Sequence, residues 1–421
     1  MGQRERLSLH STTTMSLSDG PLPPFSDHVY SVKSGVELLL RIFHAPDSSS
    51  ATPYIVLLHG GAYTSGQHFR PYPWWITGTQ QANIALISVA YRLSPRVDYD
   101  AMVTDCQEAC RFVRGLANTP ALRVDPDNFV VAGSSAGGSL ALSLATRLHP
   151  PPRGIVAFYA PTDFTDPDLY TPPPDVASHP SGLSGLYNLE ELERASTDHD
   201  SRKALVFAPG KHDQSEQELR ALWKTDRVSL TPESKLQTDL MLYGGWRMSW
   251  LSMALQKSRV PDEVAWRIRQ ESQSPLSAFT EAFPPTVFVH GTADELLSAG
   301  QTKRAADRLN TLGVRTTAWF PTGKKHAFDR RIQVGTTGNM LTMIDLVAGG
   351  HGLADCAAGF RFCGSLSTPT ERVACASLSY TIIHSPGPAV ANDQQAAASA
   401  FVVSPSHSLP SASLHLTAPK H

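Results

Sequence analysis

The sequence predicts an α/β fold built on a mostly parallel sheet with helices on both faces, and three observations carry that expectation. Short apolar runs alternate with helix-patterned segments through the first part of the chain, the order in which βαβ units are written. One such run, Phe129 to Ala132, leads straight into Gly133-Ser134-Ser135-Ala136-Gly137 and then into a small, apolar helical segment, Ser139 to Leu148. After a long interruption the same alternation resumes at Pro285.

In chain order, residues 1–26 are polar and rich in Ser, Thr and Pro, which suits a flexible tail, and Met15 offers an alternative start. His28 to Val32 and Gly35 to Phe43 read as the two strands of an opening hairpin turned at Lys33-Ser34-Gly35. Tyr54 to Leu58 is a buried strand that runs into His59-Gly60-Gly61-Ala62-Tyr63, and Asn83 to Ala90 is another, followed by Tyr91-Arg92-Leu93-Ser94-Pro95. Ala101 to Ala117 places Val103, Cys106, Cys110 and Val113 on one side of a helix. Gly154 to Ala160 reads as the next strand. Pro285 to His290, a helix over Ala299 to Leu312 with Gly313 as its cap, and a strand over Val314 to Phe320 complete the alternation.

Between them, residues 161–284 break the pattern. This segment holds Pro172-Pro173-Pro174, polar helical stretches and Trp223, Trp246, Trp250 and Trp266. An insertion of that length inside a domain suits a cap or lid with structure of its own. Tyr243, Trp246 and Trp250 have helical spacing, which fits either internal packing or the wall of a substrate pocket.

The chemistry gathers at strand ends. A strand, a G-x-S-x-G turn and a helix in succession expose Ser135 at the carboxyl end of the strand, facing the positive end of the following helix. The glycine pair after Leu58 permits a turn whose backbone N–H groups converge on one cavity, as a developing oxyanion requires. Asp294 and His326 each follow a later strand, and the chain order Ser, Asp, His is the one in which such triads occur on α/β sheets.

These residues resemble the α/β-hydrolases, specifically the hormone-sensitive-lipase-like branch of serine esterases, over roughly residues 28 to 330. His59-Gly60-Gly61-Ala62 is similar to that family's HGGG, Tyr91-Arg92-Leu93-Ser94-Pro95 to its YRLAP, and Gly133 to Gly138 to its GDSAGG; Ser274-Pro275-Leu276, Asp294 and His326-Ala327-Phe328 agree as well. The departures are Ala62 for the third glycine, Ser134 for the aspartate before the nucleophile and Lys325 where a glycine is common. The resemblance implies an eight-stranded twisted sheet with a cap, a core formed by residues 27–160 and 285–348, and a catalytic triad of Ser135, Asp294 and His326. It also implies an oxyanion hole formed by the N–H groups of Gly61, Ala62 and Ala136. Residues 331–421 bear little likeness to the family's closing helix beyond Met340 to Ala348, and residues 349–421 have the composition of a disordered tail.

Composition limits the partners. The 421 residues carry 36 basic and 38 acidic side chains, a formal net charge of −2, with no basic patch suited to nucleic acid and no apolar run long enough to span a bilayer. The N-terminus lacks the apolar core of a secretory signal, and the five cysteines (Cys106, Cys110, Cys356, Cys363 and Cys375) have no metal-like spacing, so reduced thiols in a cytoplasmic protein are expected. The expectation is therefore a cofactor-free serine hydrolase acting on a small or medium hydrophobic carboxylic ester. A formamidase, a lactonase, a hydrolase that releases a polyketide from a biosynthetic enzyme, and a non-catalytic binding homologue are the alternatives.

Overall fold

The computed structural model describes residues 22–117, 119–172, 183–207 and 231–331. Residues 1–21, Trp223, Cys356, Cys363, Cys375 and everything from residue 332 on, including the expected tail 349–421, lie outside them.

Eight strands form one sheet in the order β1-β2-β4-β3-β5-β6-β7-β8. They are β1 (Phe25–Lys33), β2 (Val36–Phe43), β3 (Thr52–Leu58), β4 (Ala85–Val89), β5 (Val124–Ser134), β6 (Gly154–Phe158), β7 (Thr286–Val289) and β8 (Thr316–Trp319). The β1–β2 hairpin is antiparallel, β2 meets β4 antiparallel, and every pairing from β4 to β8 is parallel. The central strands are apolar on both faces, as a helix-covered parallel sheet requires. Tyr54, Val56, Phe129, Val131, Ile155, Ala157 and Phe288 pack on one side, while Ile55, Leu57, Val130, Ala132, Val156, Phe158 and Val287 pack on the other.

The first side is covered by α2 (Tyr99–Leu116) and α3 (Ala136–Ala145), and the second by α1 (Pro73–Gln81), whose Trp74, Trp75 and Ile76 are buried there. The α2 stripe is the one its periodicity predicted, with Val103, Cys106, Cys110 and Val113 all fully buried. Cys106 and Cys110 are free thiols, and burial pushes that of Cys110 up to about 12, so both act as small apolar packing groups. Arg92 explains the middle of the Tyr91–Pro95 turn: its guanidinium forks onto the fully buried carboxylate of Asp105 on α2 at 2.7 and 2.9 Å.

The chain between β6 and β7 contains α4 (Leu189–Ser196), α5 (Pro232–Arg247), α6 (Trp250–Ala254) and α7 (Glu263–Gln273) among its described residues. Its contacts converge on the Tyr91–Pro95 turn. The Leu93 N–H donates to the Leu205 carbonyl, the Pro95 carbonyl accepts from Gln256 at 3.0 Å and from His199 at 2.8 Å, the Ser94 carbonyl accepts from Gln237, and Arg96 pairs with Asp198 at 2.8 Å. The Ser94 N–H in turn donates to the carbonyl of Tyr63 at 2.9 Å, within the turn that follows β3. Ser274 in the Ser-Pro-Leu turn accepts from the Phe164 N–H at 2.7 Å, closing the insertion's two ends on each other.

Tyr243, Trp246 and Trp250 do not share one helix. Met248, in the left-handed conformation with φ 49°, ends α5, and α6 starts afresh at Trp250. Tyr243 is packed with Leu192 and Leu240 inside the insertion, whereas Trp246 and Trp250 face the cavity described below.

Candidate active site

Ser135 sits at the sharp turn between β5 and α3 with φ 53° and ψ −122°, a strained backbone that presents its side chain outward. The turn is possible because Gly137 has no side chain: a Cβ there would lie 2.2 Å from the Leu58 carbonyl oxygen, so α3 rests directly on the end of β3. The Ser135 N–H is used up on the Phe158 carbonyl at 2.8 Å, tying the turn to β6.

His326, after β8, places Nε2 3.2 Å from Ser135 Oγ and Nδ1 2.8 Å from Oδ2 of Asp294, which follows β7. The structure thus brings together all three residues that the sequence pointed to, from chain positions 191 and 32 residues apart. The Asp294 side chain is 1% exposed. Its Oδ1 accepts the N–H groups of Leu296 and Leu297 at 3.0 and 2.9 Å. Burial by itself pushes this carboxyl up, but the contacts from His290 and His326 outweigh it and hold Asp294 well below the usual carboxylate range. Asp294 is therefore ionised and can hold the Nδ1–H tautomer of His326, leaving Nε2 free to accept a proton from Ser135.

The loop after β3 lies against the same turn. A Cβ on Gly60 would lie 2.8 Å from the Ser134 carbonyl oxygen and 3.4 Å from Ser135 Cβ, so the two segments touch. Gly61 (φ 122°), Ala62 (φ 54°) and Tyr63 (φ 63°) form three consecutive left-handed residues, a conformation that turns backbone N–H groups away from the sheet. The N–H groups of Gly61, Ala62 and Ala136 have no acceptor among the described residues. His59 braces this loop: its ring stacks on Tyr91 at 4.3 Å, its Nδ1–H donates to the Gly60 carbonyl at 2.9 Å, and its own carbonyl accepts the Tyr91 hydroxyl at 2.7 Å. Burial pushes its imidazole down to about 4, so this histidine is neutral and brings no charge to the loop.

A cavity of about 730 Å³ opens onto Ser135 and His326 and is lined by Gly61, Ala62 and Ala136. Its walls are largely apolar and include Tyr72 and Trp75 from the core and Trp246 and Trp250 from the insertion. No cluster of His, Cys, Asp or Glu suited to a metal ion occurs among the described residues, and no helix among them is long and apolar enough to cross a membrane.

Two residues of this region escaped sequence reasoning. His290, the last residue of an apolar run, is fully buried beneath the Asp294 loop. Asp329 is also fully buried, and accepts the hydroxyl of Tyr159, whose ring meets the His326 ring edge-on at 4.6 Å. Its Oδ2 has no hydrogen-bond partner among the described residues, and burial pushes its carboxyl up to about 6. For His290 the available signal was a polar side chain ending an apolar run; Asp329, followed by Arg330 and Arg331, gave none.

Comparison with known proteins agrees with this architecture. The model of the family described as alpha/beta hydrolase fold matches residues 55–225. The chain is similar to the non-reducing polyketide synthase trt4 of Aspergillus terreus, at 27% identity over 325 residues that cover 72% of this chain and 13% of the relative. It is also similar to the non-reducing polyketide synthase mapC of Penicillium roqueforti, at 30% identity over 316 residues covering 68% of this chain and 12% of the relative. The chain thus spans about an eighth of the length of these curated relatives. Among solved structures, a Staphylococcus aureus protein of unknown function superposes with a TM-score of 0.50 at 16% identity, covering 77% of this chain and 98% of the other, which shows a shared fold. With its strand order and its serine turn the chain has the α/β-hydrolase fold, and the family match over residues 55–225 agrees with it.

Proposed function

We propose that the protein is a serine hydrolase that cleaves a carboxylic ester through an acyl-enzyme on Ser135. The observation that carries this reading is the continuous contact from Ser135 Oγ through His326 to Asp294, at the floor of a cavity beside unpaired backbone donors. Ser135 Oγ attacks the ester carbonyl carbon while its proton passes to His326 Nε2. The carbonyl oxygen becomes an oxyanion held by the N–H groups of Gly61, Ala62 and Ala136. Collapse breaks the bond to the alcohol oxygen, which leaves with the proton from His326. Water then attacks the acyl carbon, giving a proton to His326, and Ser135 Oγ departs with that proton as the acid is released. Asp294 holds the imidazole tautomer and balances its charge at each stage. No step calls for a metal or organic cofactor.

The apolar walls suit a hydrophobic acyl group or alcohol of small or medium size. Residues 161–284 act as the cap that selects it. A panel of aryl esters of increasing acyl length, combined with fluorophosphonate labelling and mapping of the adduct, tests the reading. Turnover with labelling at Ser135 is expected; an adduct on any other serine sinks the assignment.

The similarity to polyketide synthases favours a second reading, in which the same serine takes an acyl group from a thioester or ester and releases it to water or to an internal hydroxyl. The acylation of Ser135 is unchanged; a thioester donor releases a thiol in place of an alcohol, and where the product cyclises an internal hydroxyl replaces water in the second step. Comparing matched aryl thioesters and oxoesters separates the two.

A further inference from the structure

His290 is fully buried, and each of its ring nitrogens has a defined partner. Nε2 lies 2.9 Å from the carbonyl oxygen of Leu297, a group that can only accept, so Nε2 carries a proton. Nδ1 lies 2.8 Å from the hydroxyl of Thr302, which donates to it in the neutral ring. Thr302 is a buried residue of the helix Ala299–Thr311. A helix behind the sheet thus holds the second ring nitrogen of a histidine immediately after β7, whose own N–H is tied to the Trp319 carbonyl of β8 at 3.0 Å.

A histidine that only fastened a loop would bond Leu297 and Thr302 and reach no further. Here Nε2 is also 3.2 Å from Oδ2 of Asp294, the oxygen that faces His326. The Leu297 carbonyl that it holds belongs to the residue whose N–H, with that of Leu296, binds the other oxygen of the same carboxylate. His290 therefore acts on Asp294 from two directions, on Oδ1 through the loop and on Oδ2 through the proton-bearing edge of its ring.

We propose that His290 is the positioning residue for Asp294, fixing the carboxylate in the orientation that presents its Oδ2 to His326. This rests on the triad reading above and extends it to a fourth side chain. Without the ring, Asp294 keeps its backbone donors but loses the anchor of the loop that carries them and the dipole against Oδ2. The imidazole of His326 is then misdirected; His290 itself does not line the substrate cavity, to which the anchored loop contributes only Leu296 and Leu297.

The test compares His290→Leu, which removes the donor, with His290→Gln, whose amide keeps an N–H at the Nε2 position and an acceptor toward Thr302. With a short-chain aryl ester, His290→Leu should lose about 10- to 100-fold in kcat with KM within about twofold of wild type, and His290→Gln should recover most of that loss. In parallel, proton NMR should show a low-field resonance from the N–H between His326 and Asp294 that His290→Leu abolishes or shifts and His290→Gln retains. Should His290→Leu fail to fold, Thr302→Val, which removes only the hydroxyl that anchors Nδ1 of the ring, is expected to lower kcat about 3- to 10-fold by the same route. Folded His290→Leu or Thr302→Val protein with wild-type kcat and an unmoved resonance overturns the proposal, as does a His290→Gln protein as impaired as His290→Leu. The resonance needs no substrate. Its loss in His290→Leu alongside a wild type that turns over no ester would refute the ester hydrolase reading and leave the link from His290 to Asp294 standing.

Discussion

Asp329 stores a dependence of stability on pH that a single substitution exposes. Its carboxyl is fully buried, has one oxygen without a partner among the described residues and sits at about 6 instead of its ordinary 3.8. Burial is the main cause, opposed by the hydrogen bond from Tyr159 and by the charges of His326 and Arg330. Because the folded value is raised, the native state keeps a proton that the unfolded chain gives up between pH 3.8 and about 6. Stability from this group therefore falls as pH rises through that window, and the full penalty is present above it. The shift corresponds to about 3 kcal/mol, of which roughly 2 falls between pH 4 and pH 7. Asp329→Asn does not ionise. Whatever fixed cost the amide brings, the difference in unfolding free energy between variant and wild type should move by roughly 2 kcal/mol in the variant's favour from pH 4 to pH 7. Urea unfolding of both proteins at half-unit pH steps measures it. A difference that stays flat across the window refutes the reasoning and means that Asp329 is solvated or paired in solution.

Other expectations are simpler to state. Ser135→Ala should remove ester turnover by a factor on the order of 10⁶ with the fold unchanged by circular dichroism, and Asp294→Asn should lower kcat by roughly 10⁴, more than Glu295→Gln. Ala62, a non-glycine residue at φ 54°, should accept glycine with stability and turnover at least retained; Ala62→Pro, which deletes the N–H, should slow turnover by about 10² to 10³ on the same ester. Asp105→Ala leaves the buried Arg92 guanidinium without its carboxylate and should cost about 3 to 5 kcal/mol in denaturant unfolding. Gly137→Ala should block folding or displace α3, seen as loss of soluble protein or of fluorophosphonate labelling, since its Cβ would meet the Leu58 carbonyl at 2.2 Å.

The parts legible in the sequence were those written in local pattern. Apolar runs marked β3, β4, β5 and β6 because these strands are buried on both faces, and the serine turn announced itself through glycines that only a tight strand-to-helix junction needs. Strand limits moved by a few residues. Val124 to Asn128 extends β5 through a polar stretch with a proline that reads as a loop, and is held by pairing at Thr52 instead of by an apolar pattern. The helix α1 left no period to find, since Trp74, Trp75, Ile76, Gly78 and Thr79 are all buried and no polar face alternates with them. The break at Met248 was hidden because a methionine, not a glycine, takes the left-handed position. The glycines sit earlier, at Gly244 and Gly245, where they let the ring of Trp250 lie against the helix backbone. His290 and Asp329 act through contacts that the sequence pattern does not announce, His290 with Thr302 on the next helix and Asp329 with Tyr159, 170 residues before it.

The Tyr91–Pro95 turn has a mechanical consequence. It takes hydrogen bonds from Gln237, Gln256 and His199 of the insertion on one side and grips the Tyr63 carbonyl on the other, only one residue from Ala62. The pocket wall and the proposed oxyanion loop meet at this turn, and again where Ser65, bonded to the Gly61 carbonyl at 3.0 Å, reaches Met241 of α5 at 2.8 Å. A bulky guest that levers Trp246 or Trp250 outward therefore tugs on the same turn that aims the donors, so that affinity and turnover shift together. Grafting another insertion to change the choice of substrate would succeed only where the graft restores those three grips on Ser94 and Pro95.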